Sequence, residues 1–174
     1  MKILLASLLF PLFLHAQNGS TATLRTILLE QLRTTHNQKD WFVPIGGSLA
    51  GLTPEQASWT SGKGNHSIGQ IAQHLLFWNQ QNLNSFLGKP SDSSKVVNDE
   101  TFNSFNRANW AQLQKQLDDV MTAWEKAVQA ADEKKLAAGA STIAHIGTHN
   151  AYHVGQILYI RKLQGSWDPK EGVK

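Results

Sequence analysis

Residues 141–160 read STIAHIGTHNAYHVGQILYI, and the reading of this stretch decides the fold. Ile143, Ile146, Ile157, Leu158 and Ile160 fall at helical spacing, and no period-two alternation competes with it. His145, His149 and His153 recur every four residues, so in a helix they stand one above another on a single face. Gln156 and Ile160 continue that face. Burying such a row of polar rings without partners is expensive. Either hydrogen bonds or a metal ion would satisfy it, and the spacing alone fits both. Two helical histidines at i and i+4 can grip one ion, as in the HExxH helix. There is no HExxH here, which excludes that metalloprotease arrangement.

Working outward, three further amphipathic helices are expected. One runs from about Thr21 to Asn37, with Leu24, Ile27, Leu28 and Leu32 at helical spacing. The second starts at Ser67, which can form a capping box with Gln70, and ends near Gly88-Lys89-Pro90. The third spans about Asn106 to Glu133, with Trp110, Leu113, Leu117, Val120, Met121, Trp124 and Val128 on its apolar face. Gly139 is expected to separate it from the fourth, about Ser141 to Gln164. The connection 42–64 holds one short helix opened by Thr53-Pro54-Glu55-Gln56, and residues 88–104 form an exposed polar loop. The tail after Gly165 is expected to be loose. Four such helices imply an all-α bundle with one shared core.

Residues 1–16 stand apart. Lys2 precedes an apolar run from Ile3 to Leu14, interrupted by Ser7 and Pro11, and Ala16 offers a small residue for cleavage. This is the layout of a secretory signal peptide, too short to span a bilayer comfortably; an uncleaved membrane anchor is the other reading of the same pattern. The expected mature chain starts near Gln17, forms one domain over 17–174, and is exported to a periplasm or the extracellular space without stable membrane insertion. Loss of residues 1–16 removes one lysine and no acid, so the formal charge falls from +3 to +2. No Lys/Arg cluster with interleaved aromatics suggests nucleic acid. There is no cysteine, hence no disulfide, thiolate ligand or cysteine nucleophile. A metal site must therefore use His, Asp, Glu or water.

His74 sits mid-way along the second helix, one turn before Trp78. A bundle that brings this helix beside the fourth would add it to the His149/His153 pair. His145 lies one turn before His149 and is the candidate proton carrier. A hydrogen-bonded histidine at the rim is the other reading of it. His66 is expected at the helix end as a structural residue, and His36 in solvent at the end of the first helix. Trp41, Trp59, Trp78, Trp110 and Trp124 are expected in the core or at a pocket rim.

Two segments, Leu52-Thr53-Pro54-Glu55-Gln56-Ala57-Ser58-Trp59 and His66-Ser67-Ile68-Gly69-Gln70-Ile71-Ala72-Gln73-His74-Leu75, resemble the first half of the DinB-like (YfiT-like) superfamily. His149-Asn150-Ala151-Tyr152-His153-Val154-Gly155-Gln156-Ile157 resembles its second signature. The resemblance covers about Thr21 to Leu163. It implies an up-down-down-up four-helix bundle holding one divalent metal ion through His74, His149 and His153. Gly155 and Gln156 match the family's Gly-Gln pair; Gln156 is read first as a helix-packing residue, the other reading being a partner that holds a ligand from behind. Family members include thiol-dependent S-transferases and metal-dependent hydrolases or isomerases.

Three neutral imidazoles leave a divalent ion with an open position, the mark of catalytic rather than structural sites. Imidazole suits Zn, Ni, Cu or Fe, and Zn or Ni is the expected ion. No Asp or Glu falls on the metal-facing side of the second or fourth helix. The expected activity is metal-dependent hydrolysis or group transfer on a small molecule. The alternative is a non-catalytic metal- or ligand-binding bundle, and a homodimer is compatible with either.

Overall fold

The computed structural model describes residues 22–91 and 94–173. The expected signal peptide, 1–16, lies outside the described residues. Those residues form six α-helices and no strand: α1 (Leu24–His36), α2 (Ile45–Leu49), α3 (Pro54–Ser58), α4 (Ile68–Phe86), α5 (Trp110–Ala130) and α6 (Glu133–Leu163). Short 3-10 turns cover Asn98–Phe102, Arg107–Asn109 and Pro169–Glu171. No described helix is long and apolar enough to cross a membrane.

The helix starts follow local chemistry. Thr23, Thr53 and Ser67 each close a reciprocal capping box, with Thr26, Gln56 and Gln70 respectively. Each box satisfies backbone N–H groups that the first helical turn leaves without partners. Among the long helices, α4 packs on α5 and α6, and α1 packs on α5 and α6. Their inward faces meet in one cluster that includes Leu28, Leu32, Leu75, Leu117, Trp124, Ile143 and Ile157. Each fully buried Leu or Ile side chain contributes about 1.5–3 kcal/mol.

A pair of amide side chains meets across this core. Asn79 on α4 and Asn150 on α6 are both 0% exposed. Asn79 Nδ2 donates to Asn150 Oδ1 at 2.9 Å, and Asn150 Nδ2 donates to Asn79 Oδ1 at 3.3 Å. Asn79 Nδ2 also reaches Leu75 O at 2.9 Å, and Trp124 Nε1 donates to Asn79 O at 3.1 Å. A buried amide left unpaired costs about 1–3 kcal/mol. The pair therefore fixes how far α4 is slid along α6. Asn150 adjoins His149, so the same register sets which part of α4 faces the α6 histidines.

Several expectations need correction. Gly139 does not separate two helices. The break falls at Ala131–Asp132, where the Asp132 side chain accepts from Lys135 N, and α6 runs unbroken for 31 residues. Gly139 sits inside it because the Phe86 ring lies where a Cβ would be, 2.6 Å from Phe86 Cε2. α5 starts at Trp110 rather than Asn106, after a 3-10 turn. The connection 42–64 holds two short helices rather than one, since α2 forms despite Gly46 and Gly47. Arg161 on α6, 7% exposed, donates to the carbonyls of Ser48 in α2 and of Ala50 just after it, at 2.8 and 3.0 Å.

Arg161 also donates to Ser166 O at 2.7 Å and faces the Trp167 ring at 5.1 Å, so the segment after Gly165 is fastened rather than loose. Trp41 and Trp59 are not in the core: they are 89% and 38% exposed. His36 is not in solvent. It is 3% exposed, with Nδ1 2.7 Å from Glu125 and Nε2 2.8 Å from Asp118. Asp118 and Glu125 are seven residues apart, hence on one face of α5, and that face lies over the end of α1.

A candidate three-histidine metal centre

The register set by Asn79 and Asn150 brings His74 of α4 against His149 and His153 of α6. His74 Nε2 and His153 Nε2 each lie 3.1 Å from His149 Nε2. The three ligand atoms all fall within 4.8 Å of one another. Tetrahedral ligands about 2.0–2.1 Å from one ion stand about 3.3 Å apart, so this spacing suits a shared ion. His74 and His153 are buried and His149 is half-buried.

The neighbours settle which nitrogens carry protons. Thr101 Oγ1 donates to Asn98 O at 2.6 Å, so its oxygen is left to accept from His74 Nδ1–H, also at 2.6 Å. His153 Nδ1–H donates to Gln156 Oε1 at 2.6 Å. Both rings therefore turn an Nε2 lone pair toward His149 Nε2. One proton on His149 could satisfy only one of those two contacts. A cation at the common point satisfies all three rings, and the donor set therefore fits a divalent ion. Imidazole ligands held from behind in this way are the rule at metal sites.

Burial and the mutual repulsion of the three rings keep them neutral. Burial chiefly, with His153, His149 and His66 adding, lowers the His74 pKa from 6.5 to about 3. Burial and His149 lower that of His153 to about 4, against the opposing hydrogen bond to Gln156. Burial also lowers His149. Between pH 6.5 and about 4 the metal-free unfolded chain binds protons at His74 and His153 and the folded chain does not. Stability thus falls as the pH drops through that window, by about 1.4 kcal/mol per pH unit for each such histidine. Urea midpoints of the metal-free protein should fall from pH 7 to pH 5, more steeply than those of His74→Phe. Equal slopes would contradict the assignment.

The connection 88–104 is more than an exposed loop. Its 3-10 turn covers α4 beside the histidines. Asn98 Oδ1 accepts from Trp78 Nε1 at 3.2 Å. Phe102 stacks between His66 and His74, with ring centroids 3.9 and 4.0 Å away. The turn also brings Asp99 to the wall of a 400 Å³ cavity over the three rings, which His66, Tyr152 and Gln156 line as well. Thr101, Phe102, Asn98 and Asp99 were missed in the sequence, because nothing in an isolated polar loop says which helix it will cover. Thr101→Val should weaken metal binding about 10–100-fold, the usual cost of losing a group that holds a ligand. Thr101→Ser should restore most of it, with competitive chelator titration as the measurement.

Other expected site residues lie as follows. Gln156 is the partner of His153, and its Nε2 donates to Tyr152 Oη at 3.1 Å. His145 is exposed, its Nδ1 2.7 Å from Ser141 O, and it lines a neighbouring cleft of 650 Å³ instead of joining the three rings. A second cleft, of 860 Å³, opens on the other side of Tyr152.

The family model described as the DinB superfamily matches residues 47–157. The chain belongs to the DinB superfamily. The DinB match runs from within α2 almost to the end of the histidine face, so His74, His149, His153 and Gln156 all fall inside it. No curated protein and no solved structure matches the chain.

Proposed function

We propose that this DinB-superfamily protein is an exported metal-dependent enzyme, a hydrolase or group transferase, with one Zn or Ni ion held by His74, His149 and His153. The observation that carries the reading is the convergence of three imidazole nitrogens beneath an open cavity. Bound there, the ion would supply Lewis-acid polarisation of a substrate oxygen and lower the pKa of water to about 7. The chain supplies the rest. Thr101 and Gln156 hold two imidazoles in the tautomer that aims Nε2 at the cavity. The Asp99 carboxylate on the cavity wall is available to take a proton. His145 lines the adjoining cleft, where it can carry a proton to or from solvent.

The four long helices are read as the up-down-down-up four-helix bundle that the family resemblance implies, in keeping with α4 and α1 each packing on both α5 and α6. Export rests on the signal-peptide pattern of residues 1–16. A metal or ligand carrier without turnover is the second reading. It is favoured by the lack of any carboxylate in the ligand cluster itself. Elemental analysis of the mature protein, followed by hydrolytic and thiol-transfer screens with and without chelator, separates the two. One metal per chain with chelator-sensitive turnover supports the enzyme. One metal per chain without turnover across both screens supports the carrier, and a metal-free protein sinks both.

A further inference from the structure

Tyr152 lines the cavity over the three histidines and both flanking clefts, which have volumes of 650 and 860 Å³. Ligand sites fall in the range of about 300–1,000 Å³, so either cleft can take a small molecule. What lines them is unusual in its charge. Among the described residues lining the three cavities there is no lysine and no arginine, and Asp99 is the one Asp or Glu. Anionic substrates are ordinarily met by Arg or Lys. Here an anionic substituent away from the metal would meet neither guanidinium nor ammonium, only the His66 and His145 imidazoles and one carboxylate.

The polar groups that remain suit neutral partners. Asn98 uses its carbonyl oxygen to accept from Trp78, and its NH2 group has no partner among the described residues. Asn82 Nδ2 donates to Trp78 O, leaving its own carbonyl oxygen free among those residues. Tyr152 Oη accepts from Gln156, so its O–H proton is available to donate. Asn82, Asn98, Trp78 and Tyr152 all line the 650 Å³ cleft, so two donors and one acceptor accompany its two aromatic rings, beside the hydroxyls of Ser141, Thr142 and Thr148 and the His145 ring. That set is complementary to amide or hydroxyl groups on a ligand with a flat apolar part.

Resting on the three-histidine metal reading, we propose that the site selects an uncharged substrate. Its flat apolar portion lies along Trp78 and Tyr152, and its amide or hydroxyl groups meet Asn82 and Asn98. Its one metal-seeking donor enters beneath Tyr152, and Asp99 disfavours carboxylated or phosphorylated analogues.

The test uses the metal-loaded mature protein and two probes with the same metal-binding head: benzohydroxamate, and 4-carboxybenzohydroxamate, which carries an added charge remote from that head. Titration calorimetry should give about tenfold tighter binding of benzohydroxamate, the probe without the remote charge, which is a difference of about 1.4 kcal/mol. Asp99→Asn, at an exposed position, should shrink the gap to threefold or less, on that same scale. Tyr152→Ala should weaken benzohydroxamate about tenfold, again about 1.4 kcal/mol. Equal or tighter binding of the carboxylated probe by the unmutated protein overturns the proposal. A protein with one metal per chain that binds neither probe overturns it too, while leaving the metal site standing. A protein that retains no metal overturns both together.

Discussion

His153→Ala should leave the purified protein without stoichiometric metal by elemental analysis. The substitution deletes one of three ligands. His153 Nε2 sits 3.1 Å from His149 Nε2, and no other group in the cluster is placed to replace it. The loss should exceed the 10–100-fold typical of removing a group that merely supports a ligand. Folding is not at risk, because the ring sits at the cavity end of the apolar core and Gln156 can turn to solvent. A circular dichroism melt close to the unmutated protein's would confirm that point. Unchanged metal content in the variant would refute the assigned three-histidine set. His74→Ala should give the same result from the other helix, which tests that the ion bridges α4 and α6.

The second large effect lies in the core. Trp124→Ala should destabilise the protein by about 3–5 kcal/mol, the range for deleting a buried aromatic. Trp124 is 0% exposed, meets the Phe86 ring at 5.5 Å, and donates its indole N–H to Asn79 O at 3.1 Å. Against total stabilities of about 5–15 kcal/mol, this change removes between about a fifth and all of the folding margin. Trp124→Phe refills most of the volume and removes the hydrogen bond, so it should cost only about 1–2 kcal/mol. Urea denaturation followed by circular dichroism measures both. A loss under 1 kcal/mol for Trp124→Ala would mean that the core collapses around the gap, and that the α4–α5 contact is softer than its burial indicates.

Much of this architecture was legible in the sequence, and the reasons differ by element. The apolar rows of α1, α4 and α5 announce themselves because a helix that buries one face must repeat it every three to four residues. The capping boxes at Thr53 and Ser67 are local chemistry, so they survive folding unchanged. The histidine row on α6 has the same character, and His74 could be added from its place in α4. Gly139 misled because a glycine is locally a helix breaker. Its actual role, making room for Phe86, is visible only when α4 lies alongside. His36 misled for the same reason, as its two carboxylate partners come from α5. Thr101 and Asp99 carry no periodic signal at all. Their position over the histidines depends on Phe102 finding the slot between His66 and His74, a contact between parts of the chain that no local pattern links.

The paired amides of Asn79 and Asn150 have a consequence for the order of assembly. Because hydrogen bonds and apolar packing already hold α4 and α6 in register, the three imidazoles meet without needing an ion to gather them. Small zinc-nucleated domains, by contrast, stay unfolded until the metal arrives. On the three-histidine metal reading, a chain built like this one would fold first and acquire its ion afterwards. Which ion occupied it would then be decided by supply at the place where the finished protein resides, and an ion lost to a competing chelator could be replaced without refolding.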